Sequence, residues 1–405
     1  MNGGMGMIEK TKKIADMWEP LDREVSEMEK ISRKPSGFWR DVWDSLIRDR
    51  RAVAGLVFIV IMIALAALGP QMSGYYYSDQ NLKFSNLPPR FDIYSIDEDT
   101  FVYVHKEYKL FSVSQDGEFY ERLESSYEDA DSKTKGYVLD GKNVVIDYSA
   151  AVENATDSGG KEKFTLYIDD LEASPSGKVF NKTYWFGSDT SGRDLFVRVL
   201  VGARISLLIA LVATMVNLFV GVLYGGISGF AGGRIDEIMM RFVDILSTIP
   251  LVLYVILMTV GIGSGIKSII LAIGLVYWVR MARIVRGQIL SLKERDYVLA
   301  ARVSGAGPLR IMTRHLLPNA MGPIVVAMTM MIPGAIFTEA FLSFIGLGVS
   351  PPMSSWGTLA YDALDVMRSY GYQLFFPSAA ICLTVLAFNF LGDGIRDSLD
   401  PRMKR

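Results

Sequence analysis

The sequence predicts an all-α membrane protein with six spanning helices and a β-rich insert between the first and second of them. Three observations predict it. Half of the 405 residues are hydrophobic, and they gather in runs that can cross about 30 Å of hydrocarbon, which takes about 20 residues. The long polar stretch 71–185 alternates apolar and polar side chains at strand period. Lys and Arg crowd the connections on one side of the apolar runs and are sparse on the other, as the positive-inside rule requires.

Residues 1–51 form a charged segment that ends in an amphipathic helix. In 36–47 (SGFWRDVWDSLI) Phe38, Trp39, Val42, Trp43, Leu46 and Ile47 recur at helical spacing, with Ser36 placed as N-cap. Such a helix lies in the interface plane with its tryptophans at headgroup depth; an ordinary soluble amphipathic helix is the alternative. The first transmembrane segment, 52–70, opens with an uncharged run (AVAGLVFIVIMIALAALG). About fifty charged-rich residues precede it, far more than the basic leader of a signal peptide, so it reads as a retained anchor.

The insert, 71–185, falls on the external side. Between 75 and 185 there are 21 acidic and 12 basic residues. FVYVHKEYKLFSV, NVVIDY and KFTLYID read as half-buried strands separated by Gly, Asp and Ser turns. His105 lies on the first of these, where a packing histidine is expected because no partner cluster accompanies it.

The remaining stretch, 186–405, carries five further apolar runs at 205–229, 248–263, 266–279, 320–346 and 374–392. The run 266–279 is the shortest and spans only by continuing through Arg280 and Arg283, whose long stems carry their charges to the interface. Basic residues before 51 and over 234–241, 280–314 and 396–405 place both termini and the 280–318 connection inside. Arg193, Arg198 and Arg204 fall outside and break the rule, leaving them for an interfacial helix or a partner. Gly221, Gly225, Gly229 and Gly233 recur every four residues, a small face that lets another helix approach closely in lipid.

Several functions are excluded. A net charge of −2 offers no basic footprint for nucleic acid. One cysteine, Cys382, and two histidines, His105 and His315, cannot build a cysteine or histidine metal centre. GIGSGIKS at 261–268 lacks the Gly immediately before Lys that a phosphate loop needs, and no Gly-x-Ser-x-Gly elbow, HExxH pair or dinucleotide fingerprint occurs. The chain is therefore not expected to be an enzyme, and ATP-driven movement would need another chain to hydrolyse the nucleotide.

The segment 286–318 (RGQILSLKERDYVLAARVSGAGPLRIMTRHLLP) reads as a helix ending near Gly305, a turn through Ala306 and Gly307, and a second helix with Pro308 at its first position and Pro318 closing it. Its small residues Ala300, Ala301 and Gly305 suit a protein cleft. The stretch resembles the Glu-Ala-Ala loop of ABC importer permeases, matched here at Ala300, Ala301, Gly305, Ile311, Leu317 and Pro318, with Leu299 in place of the leading Glu. FGSDTSGRDLFVRVLVGARISL at 186–207, FTEAFLSFIGLGVSPPMSSWG at 337–357 and FNFLGDGIRDSLDPRMKR at 388–405 are similar to the dipeptide and oligopeptide permease family, second-subunit (C-type) branch.

That resemblance implies a MetI-like fold and a multi-pass subunit of the cytoplasmic membrane, paired with a homologous permease as a heterodimer. It also implies two ATPase partners, which bind the ATP and Mg, and an external solute-binding lipoprotein. It implies no cofactor in this chain. Peptides are the implied cargo, with nickel chelates or oligosaccharides as alternatives. The implied ATPase-coupling residues are Arg295, Asp296, Tyr297, Ala300, Ala301, Gly305, Ala306, Ile311, His315, Leu317, Pro318 and Asn319. Asp189, Gly192, Arg193, Asp194, Trp356 and Gly357 carry the external motif on the binding-protein side. Glu339, an acid inside the fifth span, and Asn389 in the sixth are candidates for the pore or gate; a buried, hydrogen-bonded structural role is the other reading of each. An ion-coupled transporter or membrane receptor is the rival class, but Glu339 has no basic partner in the spans and a receptor has no use for the helix-turn-helix loop.

Overall fold

The computed structural model describes residues 38–150 and 164–399. Ser36 and the end of the 388–405 motif lie outside the described residues. The chain forms two compact units, Met1–Ser45 and Leu46–Arg405. Helix α1, Phe38–Arg48, presents Trp39 and Trp43 as exposed side chains.

The spans and the insert belong to the second unit. Helix α2 (Arg50–Leu68) starts at an Asp49 cap, whose carboxylate accepts from Arg51 N at 2.9 Å. After the insert come α3 (Leu195–Ala231), α4 (Gly233–Thr248), α5 (Leu251–Ile262) and α6 (Ile266–Leu292). Then follow α7 (Asp296–Val303), α8 (Pro308–Ile311), a π turn, α9 (Leu317–Leu342), α10 (Trp356–Asp362) and α11 (Tyr372–Leu399). Among the described residues five helical stretches are long and apolar enough to span, and six if the bent pair α4 and α5 is one crossing.

One expectation holds and one shifts. The run 266–279, the shortest in sequence, belongs to a regular 27-residue helix that continues through Arg280 and Arg283. The weak crossing is instead 248–263: α4 and α5 meet at 82°, because extended Pro250 (ψ 138°) interrupts the helix. At 12 residues, α5 alone reaches only about 18 Å.

Helix α3 packs on α6 through Gly221, Gly225 and Gly229. A Cβ at Gly221 would lie 3.0 Å from Trp278 O, one at Gly225 would strike Ala282 O, and one at Gly229 would lie 2.9 Å from Arg286 O. Gly233 leaves this row, because α3 ends at Ala231 and Gly233, at φ 55°, starts α4 with open space around it. A second close approach joins α2 to α11, where a Cβ at Gly55 would reach Ala387 O at 2.5 Å and one at Gly394 would strike Ala52. Neither glycine belongs to a spacing-of-four row, so no such repeat marks them.

Among the described residues the insert forms two antiparallel five-stranded sheets. The first has the order β10-β1-β2-β3-β4, with β1 (Arg90–Ser95), β2 (Phe101–Val104), β3 (Leu110–Val113), β4 (Phe119–Arg122) and β10 (Gly177–Phe180). The second runs β5-β6-β7-β8-β9 over Tyr127–Asp129, Thr134–Leu139, Lys142–Asp147, Thr165–Ile168 and Leu171–Ala173. Strand alternation splits the first sheet between two cores. Tyr94, Val102, Val104 and Leu110 pack with Tyr137, Val144, Ile146 and Leu166 of the second sheet. Phe91, Ile93, Tyr103, Phe111 and Phe119 pack with Leu87 and Tyr184 on the other face. Asp140 and Gly141, both at positive φ, make the tight turn from β6 to β7.

The insert is strapped to the first turn of α11 and the segment before it. Lys106 Nζ donates to Ser369 O at 2.7 Å, and Gln373 Nε2 donates to Asn86 Oδ1 at 2.9 Å. His105 is buried, stacks on Tyr370, lies 3.1 Å through Nε2 from Asn86 O, and accepts from Glu107 N at Nδ1. It is a packing histidine at the joint, and burial lowers its pKa.

Candidate functional site

The 186–207 stretch folds into a knot that starts α3. Ser188 and Asp194 form an isolated bridge, and Gly192, at φ 71°, closes the turn with its N–H on Asp189 O at 2.9 Å. Asp194 is the N-cap, accepting from Phe196 N at 2.8 Å. Burial pushes its carboxyl up to about 6.

Asp189 gathers the arginines that break the positive-inside rule. Arg193 Nε donates to its Oδ2 at 2.7 Å, Arg198 donates to the same oxygen, and Arg198 Nη2 reaches Asp362 Oδ2 at 3.5 Å. Arg204 donates to the last carbonyls of α2, Ala66 and Ala67. All three are thus engaged within the chain. Asp189, Asp194 and Arg198 are buried, so the motif builds the mouth of α3 and presents little open surface. Asp362, whose carboxyl burial raises, links this knot to α10.

Trp356 and Gly357 occupy the adjoining layer. The Trp356 side chain is 0% exposed, and its Nε1 donates to Val199 O at 2.9 Å. A Cβ on Gly357 would lie 2.5 Å from Ala340 O, so only glycine lets α10 sit on α9. Ser355 caps α10 in a reciprocal box with Thr358.

Beneath them lies Glu339, also 0% exposed. Its carboxyl accepts from Ser206 Oγ at 2.7 Å and Ser343 Oγ at 2.8 Å, while Trp356 N donates to the same Ser206 Oγ at 3.3 Å. Glu339 therefore joins α3, α9 and α10 through serine hydroxyls. A carboxyl at this depth is costly unless so partnered. Ser206, Ser343 and Ser355 carried no signal in the sequence, since single serines in apolar helices are common and Ser206 is 133 positions from its partner. Asn389 lies half-buried on α11, apart from this cluster.

At the other end of the long helices, 286–318 forms the expected pair of short helices with one change. The end of α7 is a Schellman turn: Ala306 N bonds Ala301 O at 3.0 Å, Gly305 N bonds Arg302 O at 2.9 Å, and Gly305 takes φ 81°. Pro308 opens α8. Pro318 does not close that helix; it lies in the first turn of α9, after the π turn Met312–Leu316. The looser i to i+5 bonding there removes the clash that Pro makes with the carbonyl four residues before it.

The loop has an inner and an outer face. Val298, Ile311 and Leu316 are buried with Met281, Val285 and Ile289 of α6. Tyr297, Leu299, Val303 and Leu309 point out, Val303 at 90% and Leu309 at 76% exposure. Arg295, Asp296, Ala300 and Gly305 are exposed with them; Ala301, Ala306, His315 and Leu317 are half-buried, and Asn319 donates to His315 O at 2.6 Å. A Cβ at Gly305 meets nothing, so its glycine serves the turn and not a close contact within this chain. An exposed apolar ridge on a rigidly capped loop is the form of a protein docking surface.

Residues 221–405 match the family of binding-protein-dependent transport system inner membrane components, and 37–89 match the N-terminal TM domain of oligopeptide transport permease C. The chain is 37% identical over 390 residues to the oligopeptide transport system permease protein OppC of Bacillus subtilis (strain 168), covering 96% of this chain and 98% of that protein. It is 34% identical over 399 residues to the dipeptide transport system permease protein DppC of the same organism, covering 98% and 96%. With OppC of Escherichia coli (strain K12) it shares 47% over 219 residues, 54% of this chain and 72% of that protein. The apolar helices, the capped loop and these near full-length matches agree, and the chain belongs to the family of binding-protein-dependent transport system inner membrane components.

Proposed function

We propose that this chain is the permease subunit of an ATP-driven importer that moves oligopeptides or dipeptides, delivered by an external solute-binding lipoprotein, across the cytoplasmic membrane. The single observation that carries the reading is the α7 to α8 loop, with Leu299, Val303 and Leu309 directed outward at the end of the bundle opposite the insert. The names of the relatives support a peptide cargo. The insert is external, and both termini and the loop are cytoplasmic. A homologous permease completes the path, and two ATPase subunits, which bind ATP and Mg, receive the loops. Closure of the ATPases on nucleotide moves α7, and α6 and α9 carry that motion to the path, so nucleotide shifts the balance between inward- and outward-open states.

Purification of the native protein in mild detergent tests this reading. An ATPase, a second permease and a solute-binding lipoprotein accompany the chain, and Val303→Asp releases the ATPase alone. Recovery of the chain with none of the three contradicts it.

A further inference from the structure

A cavity of about 390 Å³ opens where the end of α2, the first turns of α3 and the loop before α10 meet. Val197, Val201 and Ile205, one face of α3, make its apolar floor together with Met353. Tyr75, Tyr76 and Tyr77 stand at its rim, and Arg204 forms part of its wall.

Two features give this cavity a chemistry. Arg204 uses Nε and Nη2 on Ala66 O and Ala67 O, yet no carboxylate among the described residues pairs with it. Its charge therefore has carbonyl partners but no counter-ion among the described residues, beside a largely apolar chamber. The second feature is depth. The α2 span ends at Gln71, five positions beyond Ala66, and α3, with 37 residues, measures about 55 Å against about 30 Å of hydrocarbon. Arg204 thus sits at the membrane boundary, with three tyrosines at the level that aromatic residues favour.

The rim is held in place. Tyr76 N donates to Asp79 Oδ2 at 2.9 Å, the Tyr75 ring packs 5.2 Å from that of Tyr184, and Tyr77 packs against Phe196, Val197 and Leu200.

We propose that this cavity binds one anionic phospholipid from the leaflet on the insert side, with its phosphodiester on Arg204 and the tyrosine hydroxyls and the upper part of an acyl chain over Val197, Val201 and Ile205. Guanidinium and phosphate make charge-assisted hydrogen bonds, and the apolar floor requires a ligand with a hydrocarbon part, which a free phosphate lacks. The lining offers no carboxylate for the ammonium group of a zwitterionic headgroup, so an anionic lipid is selected. The bound lipid fills the groove between α2 and α3.

Native mass spectrometry of the delipidated protein in its native assembly, titrated with dioleoyl phosphatidylglycerol or dioleoyl phosphatidylcholine, tests the site. Phosphatidylglycerol binds at least tenfold more tightly than phosphatidylcholine. Val201→Trp, which fills the floor and leaves Arg204 on its carbonyls, removes one phosphatidylglycerol per copy, and Arg204→Gln abolishes the preference. Tyr76→Ala, on the exposed rim, weakens binding at least threefold and serves where a floor variant does not assemble. Equal binding of the two lipids, or undiminished phosphatidylglycerol in assembled Val201→Trp and Tyr76→Ala proteins, overturns the proposal. Displacement of phosphatidylglycerol by a tripeptide assigns the cavity to cargo and also overturns it.

Discussion

Arg286 of α6 and Asp236 of α4 form a two-pronged ion pair, Nε on Oδ1 and Nη2 on Oδ2, each at 2.5 Å. Ser228 of α3 donates to the same carboxylate, and Lys293 Nζ reaches Gly229 O at 3.1 Å. The end of α3, the start of α4 and the end of α6 are thereby tied together about two turns before the loop that begins at Lys293. The tie fixes α6 against α3 and α4 close to the start of the 286–318 loop.

Asp236→Asn therefore weakens the tie. The loss is about 2 kcal/mol, the scale of hydrogen bonds to charged groups, discounted from a buried pair because Arg286 is one-third exposed, at 34% of its side chain. The thermal midpoint of the detergent-purified protein falls, and Arg286→Lys, which keeps charge but loses the fork, lowers it less. Equal midpoints for wild type and Asp236→Asn would show that the pair holds nothing.

The close approach of α3 and α6 sets a contrast between two glycines. Gly225→Leu forces a side chain into Ala282 O, whereas a Cβ at Gly261 of α5 meets nothing and Gly261 has no positive φ. The first substitution abolishes recovery of folded protein from the membrane. Gly261→Ala leaves recovery unchanged or raises stability by about 0.5 kcal/mol. Size-exclusion profiles of the two variants are the readout, and a normal profile for Gly225→Leu contradicts the packing.

Asp194 carries a pH dependence of defined sign. Its folded carboxyl, raised by burial to about 6 from an ordinary 3.8, holds a proton more firmly than in the unfolded chain. The stability it contributes is full below pH about 4 and is lost as pH rises through about 6, by up to about 3 kcal/mol. Asn also caps helices well, so Asp194→Asn keeps the knot and flattens that part of the profile. Thermal midpoints of both proteins between pH 4 and 7.5 decide it; an Asp194→Asn curve parallel to that of wild type refutes the assignment.

The spans were legible because a bilayer imposes one length and one composition on any helix that crosses it. The insert's strands were legible in part: alternation in FVYVHKEYKLFSV marks the faces of β2 and β3, but nothing local says that β10 returns to pair with β1. The misreadings have two causes: partners that a charge count does not reveal, and local backbone geometry that composition does not encode. Arg193, Arg198 and Arg204 looked misplaced by charge counting and find their partners at Asp189, Asp362, Ala66 and Ala67. Gly233 extends a spacing of four past the end of its helix, because backbone φ and not composition ends α3. Pro318 reads as a helix stop and is accommodated by a π turn that no sequence pattern announces. In the 286–318 loop the small residues were visible, but their division into a half-buried Ala301 and an exposed Ala300 and Gly305 needed the packing of Val298 and Ile311 on α6.

Uptake of a labelled oligopeptide by proteoliposomes holding the whole assembly, with the loaded solute-binding protein outside and ATP within, tests the central claim most directly. The wild-type chain supports ATP-dependent accumulation. Val303→Asp, which places a charge on the exposed ridge, lowers it at least tenfold while the chain remains in the membrane with its partner permease. Accumulation at the wild-type rate with Val303→Asp, or ATP-dependent uptake by an assembly from which this chain is omitted, contradicts the account.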